Sequence, residues 1–247
     1  MHNNWAEHYV TAIAEQQPFA SASTQMPELD ISGAYQLQRE CVNLLGKPVS
    51  GYKAALTATP AQNAMGINTP IVGALTEDGE LAADQTHTLQ RQALMETEFG
   101  YRLNTDIHSP VETDRVMQLV ASCHPMLEIA SPNLSQKPSG IDLIATNSAA
   151  FGYVVGTAVD PLNVPVDDIE VSLRHNDELC FSGRGADVMG GQAAALTWLI
   201  NQVLAIGYPL RRGHLLMTGS IGAMQPIKGG RYEGHFAGLG VLRVNFT

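Results

Sequence analysis

The sequence predicts an α+β fold: a mixed, strongly curved β body, helices on its outside, and a helical layer at its N-terminus. Three observations carry that expectation. Apolar residues recur at helical spacing from about Trp5 to Glu15 and again from Ile31 to Leu45. The middle of the chain is a series of short β-branched and aromatic runs bounded by turn residues. The Gly-rich stretch Gly183–Gly191 follows a hairpin and does not sit in a βαβ unit, which argues against a nucleotide-binding sheet. At 247 residues, 45% of them hydrophobic and 15% charged, the chain can bury a sizeable core. The expected organisation is an N-terminal helical layer over residues 1–50 and a β-rich body over 51–247 that carries the candidate site.

Each element has a local signal. Asp30 can cap the second helix and Gly46 can close it, while residues 16–29, rich in Pro, Ser and Thr, form a connecting loop. A strand around Lys53 follows. Thr59-Pro60 supplies a capping hydroxyl and a first-turn proline for a short helix ending near Gly66. Strands are expected at Ile71–Leu75, around Glu96, at Met126–Ala130, Phe151–Val159 and Ile169–Leu173, with a helix near Glu112–Ser122. Asn176-Asp177 joins a hairpin ending near Ser182. Gln192–Ile206, apolar on most faces and stopped by Gly207-Tyr208-Pro209, is the strongest helix of the second half. His214–Thr218 and Gly240–Phe246 read as strands, with a turn at Gly219-Ser220-Ile221-Gly222.

Composition excludes several functions. A net charge of −10 offers no basic surplus for a nucleic acid, so none is expected as a partner. Cys41, Cys123 and Cys180 are scattered, without metal or redox spacing, as in a reduced cytoplasmic protein. No run is long and apolar enough for a signal peptide or a membrane span.

The chemistry centres on Ala93–Tyr101. Strand alternation would put Glu96 and Glu98 on one face and Met95, Thr97 and Phe99 on the other. By spacing alone that pattern also fits the wet face of an ordinary strand. Glu128, however, is a single acid in the apolar run Pro125–Ala130, and a buried carboxylate must be paired, protonated or metal-bound. Together the three acids suit a hard divalent cation, Mg²⁺ or Mn²⁺, with positions left for water and a chelating ligand, for which the resemblance named below implies a 2-keto or 2-enol acid. The eight histidines form no H-x-x-x-H pair for zinc. Lys53, in a similar apolar run, is either a proton-transfer or anion-holding group near these acids or a snorkelling residue on an edge strand.

These segments resemble the 2-keto-4-pentenoate hydratases of the fumarylacetoacetate hydrolase superfamily. The matching residues are Gly51-Tyr52-Lys53 through Thr57, Met65-Gly66-Ile67 with Pro70, Glu96-Thr97-Glu98, Leu127-Glu128-Ile129, and the segments Leu179–Leu199 and Thr218–Met224. The resemblance covers nearly the whole chain. It implies that superfamily's mixed β-roll with outer helices, a homo-oligomer, and hydration of a 2-hydroxy-2,4-dienoate to a 4-hydroxy-2-keto acid in aromatic catabolism. Under it Glu96, Glu98 and Glu128 hold the metal, Lys53 and Asp78 are catalytic, and Ser148 binds substrate. Asp78-Gly79 is also an ordinary turn dipeptide. The chain departs from the pattern at Ala149, where hydratases carry serine, and Ser148 is one residue off. A metal-dependent decarboxylase of a vinylogous 2-keto acid and a non-catalytic paralogue are the alternatives.

Overall fold

In the computed structural model, which describes residues 2–89 and 91–247, two curled sheets pack face to face beneath a cover of helices. Helix α1 (His2–Ala14), the short α2 (Ala22–Gln25) and α3 (Ile31–Leu45) come first. Asp30 caps α3 by accepting from the Gly33 amide at 2.7 Å, and Gly46, at φ 64°, ends it. Gln38 ties the layer down: buried, its amide donates to the carbonyls of Val72 and Ile144 at 2.8 and 2.9 Å.

The chain then lays down β1 (Val49–Ala55), α4 (Thr59–Ala64), β2 (Ile71–Thr76), β3 (Thr86–His87), β4 (Leu94–Leu103), β5 (Val120–Ala130), α5 (Gly140–Ala145) and β6 (Ala150–Val155). The hairpin β7 (Glu170–His175) and β8 (Glu178–Arg184) precedes α6 (Gln192–Ala205), β9 (Leu215–Met217), β10 (Gln225–Pro226), β11 (Gly230–Phe236) and β12 (Gly240–Phe246). The larger sheet runs β2-β1-β9-β4-β5-β6, with β10 on β4; the smaller runs β3-β12-β11-β7-β8. Only β1–β9 and β12–β3 are parallel among the described pairs, so no doubly wound sheet exists here. The sheets meet through Met95, Leu127 and Ile129 on one side and Leu173, Tyr232 and Val244 on the other.

The larger sheet curls until its edge strands approach, and side chains close the seam. Asn147 stands in for a strand: its carbonyl accepts from the Ala74 amide at 2.7 Å and its amide donates to the Ala74 carbonyl at 2.8 Å. Tyr153 on β6 donates to the Thr76 carbonyl at 3.1 Å. Asn147, Ser148 and Ala149 all take left-handed backbone conformations, at φ 60°, 51° and 58°. That conformation is costly for residues with a Cβ. Here the Asn147 bonds and the Ser148 hydroxyl, which donates to the Val72 carbonyl at 2.7 Å, hold it in place.

Several expectations are corrected. Instead of a helix near Glu112–Ser122, a single 3-10 turn at Val116–Leu119 leads into β5, which begins at Val120 and pairs with β4. Strand pairing overrides the local pattern there. The residues 16–29 include α2, and the cap of α4 is Ala58, so Thr59 is already inside the helix. The strand expected at Phe151–Val159 ends at Val155. Strand β11 and helix α5 had no counterpart in the sequence reading, although Ser139 and Asp142 form a capping box at the start of α5.

Asp142 also joins α2 to α5. Only 2% exposed, it accepts from the amide and hydroxyl of Ser23 at 2.8 and 2.9 Å and from those of Ser139 at 2.9 and 2.7 Å. Burial alone would raise its carboxyl pKa, but these donors outweigh it and hold the group below the ordinary carboxylate range. Its contribution is therefore complete above the unfolded value, near pH 4, and is lost as pH falls through the folded value. Asp142→Asn should cost about 1–3 kcal/mol at pH 7. In urea denaturation the gap from the parent should shrink towards pH 3, and a gap independent of pH would overturn this account.

Candidate metal centre

The register of β4 and β5 builds the site. Glu96 lies directly opposite Glu128, and Glu98 opposite Met126. Direct partners in an antiparallel pair share a face, so both acids of β4 and the one of β5 point inside the curled sheet. Met95 turns the other way, into the interface with the smaller sheet. Glu96, Glu98 and Glu128 are 9, 0 and 1% exposed, and one oxygen of each lies within 4.8 Å of the other two. The alternation is thus not a wet face.

Lys53 enters from β1. Its ammonium is buried and lies 2.6 Å from Glu128 Oε1, so it is inside the cavity of the acids and not snorkelling at an edge. Gly51 makes this possible, because β1 runs so close to β9 that a Cβ there would sit 1.9 Å from the Leu215 carbonyl oxygen. Leu75, Met126, Tyr153, Leu215 and Met217 form an apolar cluster beside the charged group.

Electrostatics follow from this crowding. Burial, then the charge of Glu128, pushes Glu96 up to about 7 against the pull of Lys53. Burial and the neighbouring acids raise Glu98 well above the ordinary range, although it accepts from the Gly219 amide at 2.9 Å. Burial would lower the Lys53 pKa, but Glu128 and Glu96 more than offset it and the value rises. With all three acids ionised, three carboxylates against one ammonium would leave two negative charges, which one divalent cation would match. Among the described residues, Glu98 Oε1 and Glu128 Oε2 meet no hydrogen-bond donor, while Glu128 Oε1 has its ion pair with Lys53 but no aligned hydrogen bond. Buried oxygens left open in this way fit a hard cation at M–O distances of about 2.0–2.6 Å.

The other two candidates have partners outside the triad. Asp78 lies in a half-exposed turn after β2, paired with Lys47. Ser148 is buried with its hydroxyl committed to Val72. The turn Gly219-Ser220, noted in the sequence as a turn within the matching segment Thr218–Met224, belongs to the site: Gly219 donates to Glu98, and the Ser220 hydroxyl lies beside Glu96. Gly219 is at φ 119°, where a Cβ would also strike Thr57 at 2.4 Å. The match of that segment to the hydratases is the signal that pointed there.

The curled sheet is a fumarylacetoacetate hydrolase-like fold, shared with solved structures. The 4-oxalocrotonate decarboxylase of Pseudomonas putida G7, solved with magnesium and adipate, superposes with a TM-score of 0.94 at 23% identity, covering 100% of this chain and 97% of that one. The likeness to the 2-keto-4-pentenoate hydratases read in the sequence extends along the whole chain. The 2-keto-4-pentenoate hydratase of Paraburkholderia xenovorans (strain LB400) is 29% identical over 252 residues, covering 98% of this chain and 93% of the relative. The 2-hydroxyhexa-2,4-dienoate hydratase of Comamonas testosteroni is 26% identical, covering 96% and 94%. No protein-family model matches the chain. No helix among the described residues is long and apolar enough to cross a membrane.

Proposed function

We propose that the protein is a metal-dependent hydro-lyase that adds water to a 2-hydroxy-2,4-dienoate of the 2-keto-4-pentenoate type, giving a 4-hydroxy-2-keto acid in the breakdown of aromatic compounds. The observation that carries this reading is the in-register opposition of Glu96 and Glu128, with Glu98 and Lys53 completing a buried group of three carboxyls and one ammonium. The hydratases similar over the full chain support the reaction class.

Glu96, Glu98 and Glu128 would hold Mg²⁺ or Mn²⁺, since all three ligands are hard oxygens. When bound, such an ion supplies positive charge beside the 2-oxygen of a chelating keto acid, where negative charge gathers as the dienol loses its proton. Lys53 has two tasks open to it. Held at Glu128, its ammonium can fix the substrate carboxylate or deliver a proton to the carbon skeleton. The apolar cluster around Met126 and Met217 keeps bulk water from one side of the group, which strengthens every charge interaction in it. For Asp78 and Ser148 the geometry offers less support, because Lys47 and Val72 already engage them.

A second reading has its own observation, the 0.94 TM-score to a decarboxylase, and it uses the same charge placement. The test is to follow ultraviolet loss of 2-hydroxypenta-2,4-dienoate with Mg²⁺ and to assay CO₂ from 4-oxalocrotonate in parallel. Metal-dependent loss of the dienol that chelation stops, without comparable CO₂, is expected. Preferential CO₂ release would select the decarboxylase, and neither activity in a metal-loaded protein would leave the non-catalytic paralogue.

A further inference from the structure

Gln192 begins α6, is fully buried, and makes four hydrogen bonds outside the helix ladder. Its backbone amide donates to Asp167 Oδ1 at 2.7 Å and its side-chain amide to the Gly185 carbonyl at 2.7 Å, which fixes the side chain in place. Its one side-chain oxygen then accepts from two hydroxyls, Thr218 at 2.7 Å and Tyr101 at 3.1 Å. Thr218 is the residue before Gly219, and the peptide between them carries the amide that holds Glu98 Oε2 at 2.9 Å. A continuous path of hydrogen bonds and one peptide therefore joins the start of α6 to a carboxylate of the site. Its end point matters: with Oε2 held by Gly219, the oxygen without a donor is Glu98 Oε1.

We propose that Gln192 is a positioning residue for the candidate metal centre, acting through Thr218 and the Gly219 amide to present Glu98 Oε1. The inference rests on the metal reading above. None of the hydrogen bonds of Gln192 goes to Glu96, Glu98 or Glu128, so its effect would pass through the orientation of the Thr218–Gly219 peptide. Without an acceptor on α6, the Thr218 hydroxyl has the Phe99 carbonyl at 3.2 Å as its other partner, and the constraint from α6 on that peptide is gone.

The test compares the parent with Gln192→Leu, Thr218→Val, their double variant and Thr218→Ser. Mn²⁺ binding to the metal-free proteins is measured by calorimetry, alongside urea denaturation of the same samples. Each of the first two substitutions should weaken Mn²⁺ binding about 10-fold or more, the range seen when an outer partner of a metal ligand is removed. The double variant should be little worse than either single one, because both break the same path. Thr218→Ser, which keeps the hydroxyl, should bind nearly as the parent does. A purely structural glutamine would lower stability in urea and leave Mn²⁺ affinity unchanged, and that result would overturn the proposal. If Gln192→Leu does not fold, the valine and serine variants of Thr218 decide it. Absence of Mn²⁺ binding by the parent would instead sink the metal reading, and this inference with it.

Discussion

Glu96→Gln should abolish metal-dependent turnover, by about 10³-fold or more, while the metal-free protein becomes no less stable than the parent. The first half follows because Glu96 sits opposite Glu128 at the centre of the triad, and a neutral amide is a poor ligand for a hard cation. The loss should exceed the 10–100-fold that follows removal of an outer partner. The second half follows from the electrostatics. Glu96 is raised by burial and by Glu128, so in the metal-free protein its charge opposes folding, and an amide of the same shape removes that opposition. Melting curves with and without Mg²⁺ separate the two effects: the parent should gain stability from the ion and the variant should not. An active Glu96→Gln variant would remove the metal-enolate mechanism altogether.

Lys53→Met should have the opposite signature. The ammonium is 2% exposed and 2.6 Å from Glu128, and it is the cation that the raised pKa values of Glu96 and Glu98 name as opposing them. Breaking a buried pair by removing one partner typically costs about 3–5 kcal/mol, because the other charge is left without compensation. The metal-free variant should therefore unfold at markedly lower urea. Divalent ion should restore much of that stability while turnover stays low, since the ion can replace the charge of the lysine but not its proton. Equal stability of parent and variant without metal would show that Lys53 is not what balances the acids.

The candidate site was legible in the sequence where its logic is local. Alternation alone set Glu96 and Glu98 on one face, and the isolation of Glu128 and Lys53 in apolar runs marked them as needing partners. What brings these together is not local. The opposition of Glu96 and Glu128 is a register between strands, and no spacing within either strand encodes it. Gln192 was read only as the start of a helix, since its role depends on Thr218 arriving from another element. Strand β11 was missed for a different reason. Gly230 and Gly234 dilute its pattern, although Tyr232 and Phe236 turn inward and Arg231, Glu233 and His235 alternate with them. The helix expected near Glu112–Ser122 failed because the residues from Val120 onward gain more from pairing with β4 than from a helical turn.

Strand β9 lies between β1 and β4 in the larger sheet, and that position sets a chronology. Lys53 and the acids belong to strands that are complete by residue 130, yet β1 has no place beside β4 until Leu215–Met217 fills the gap between them. A chain emerging from the ribosome therefore carries all four charged groups long before it can bring the lysine to the carboxylates. Through that interval the acids rely on water for their solvation, as contacts this distant in sequence close slowly. The ion pair of Lys53 with Glu128 thus reports that β9 has joined the sheet.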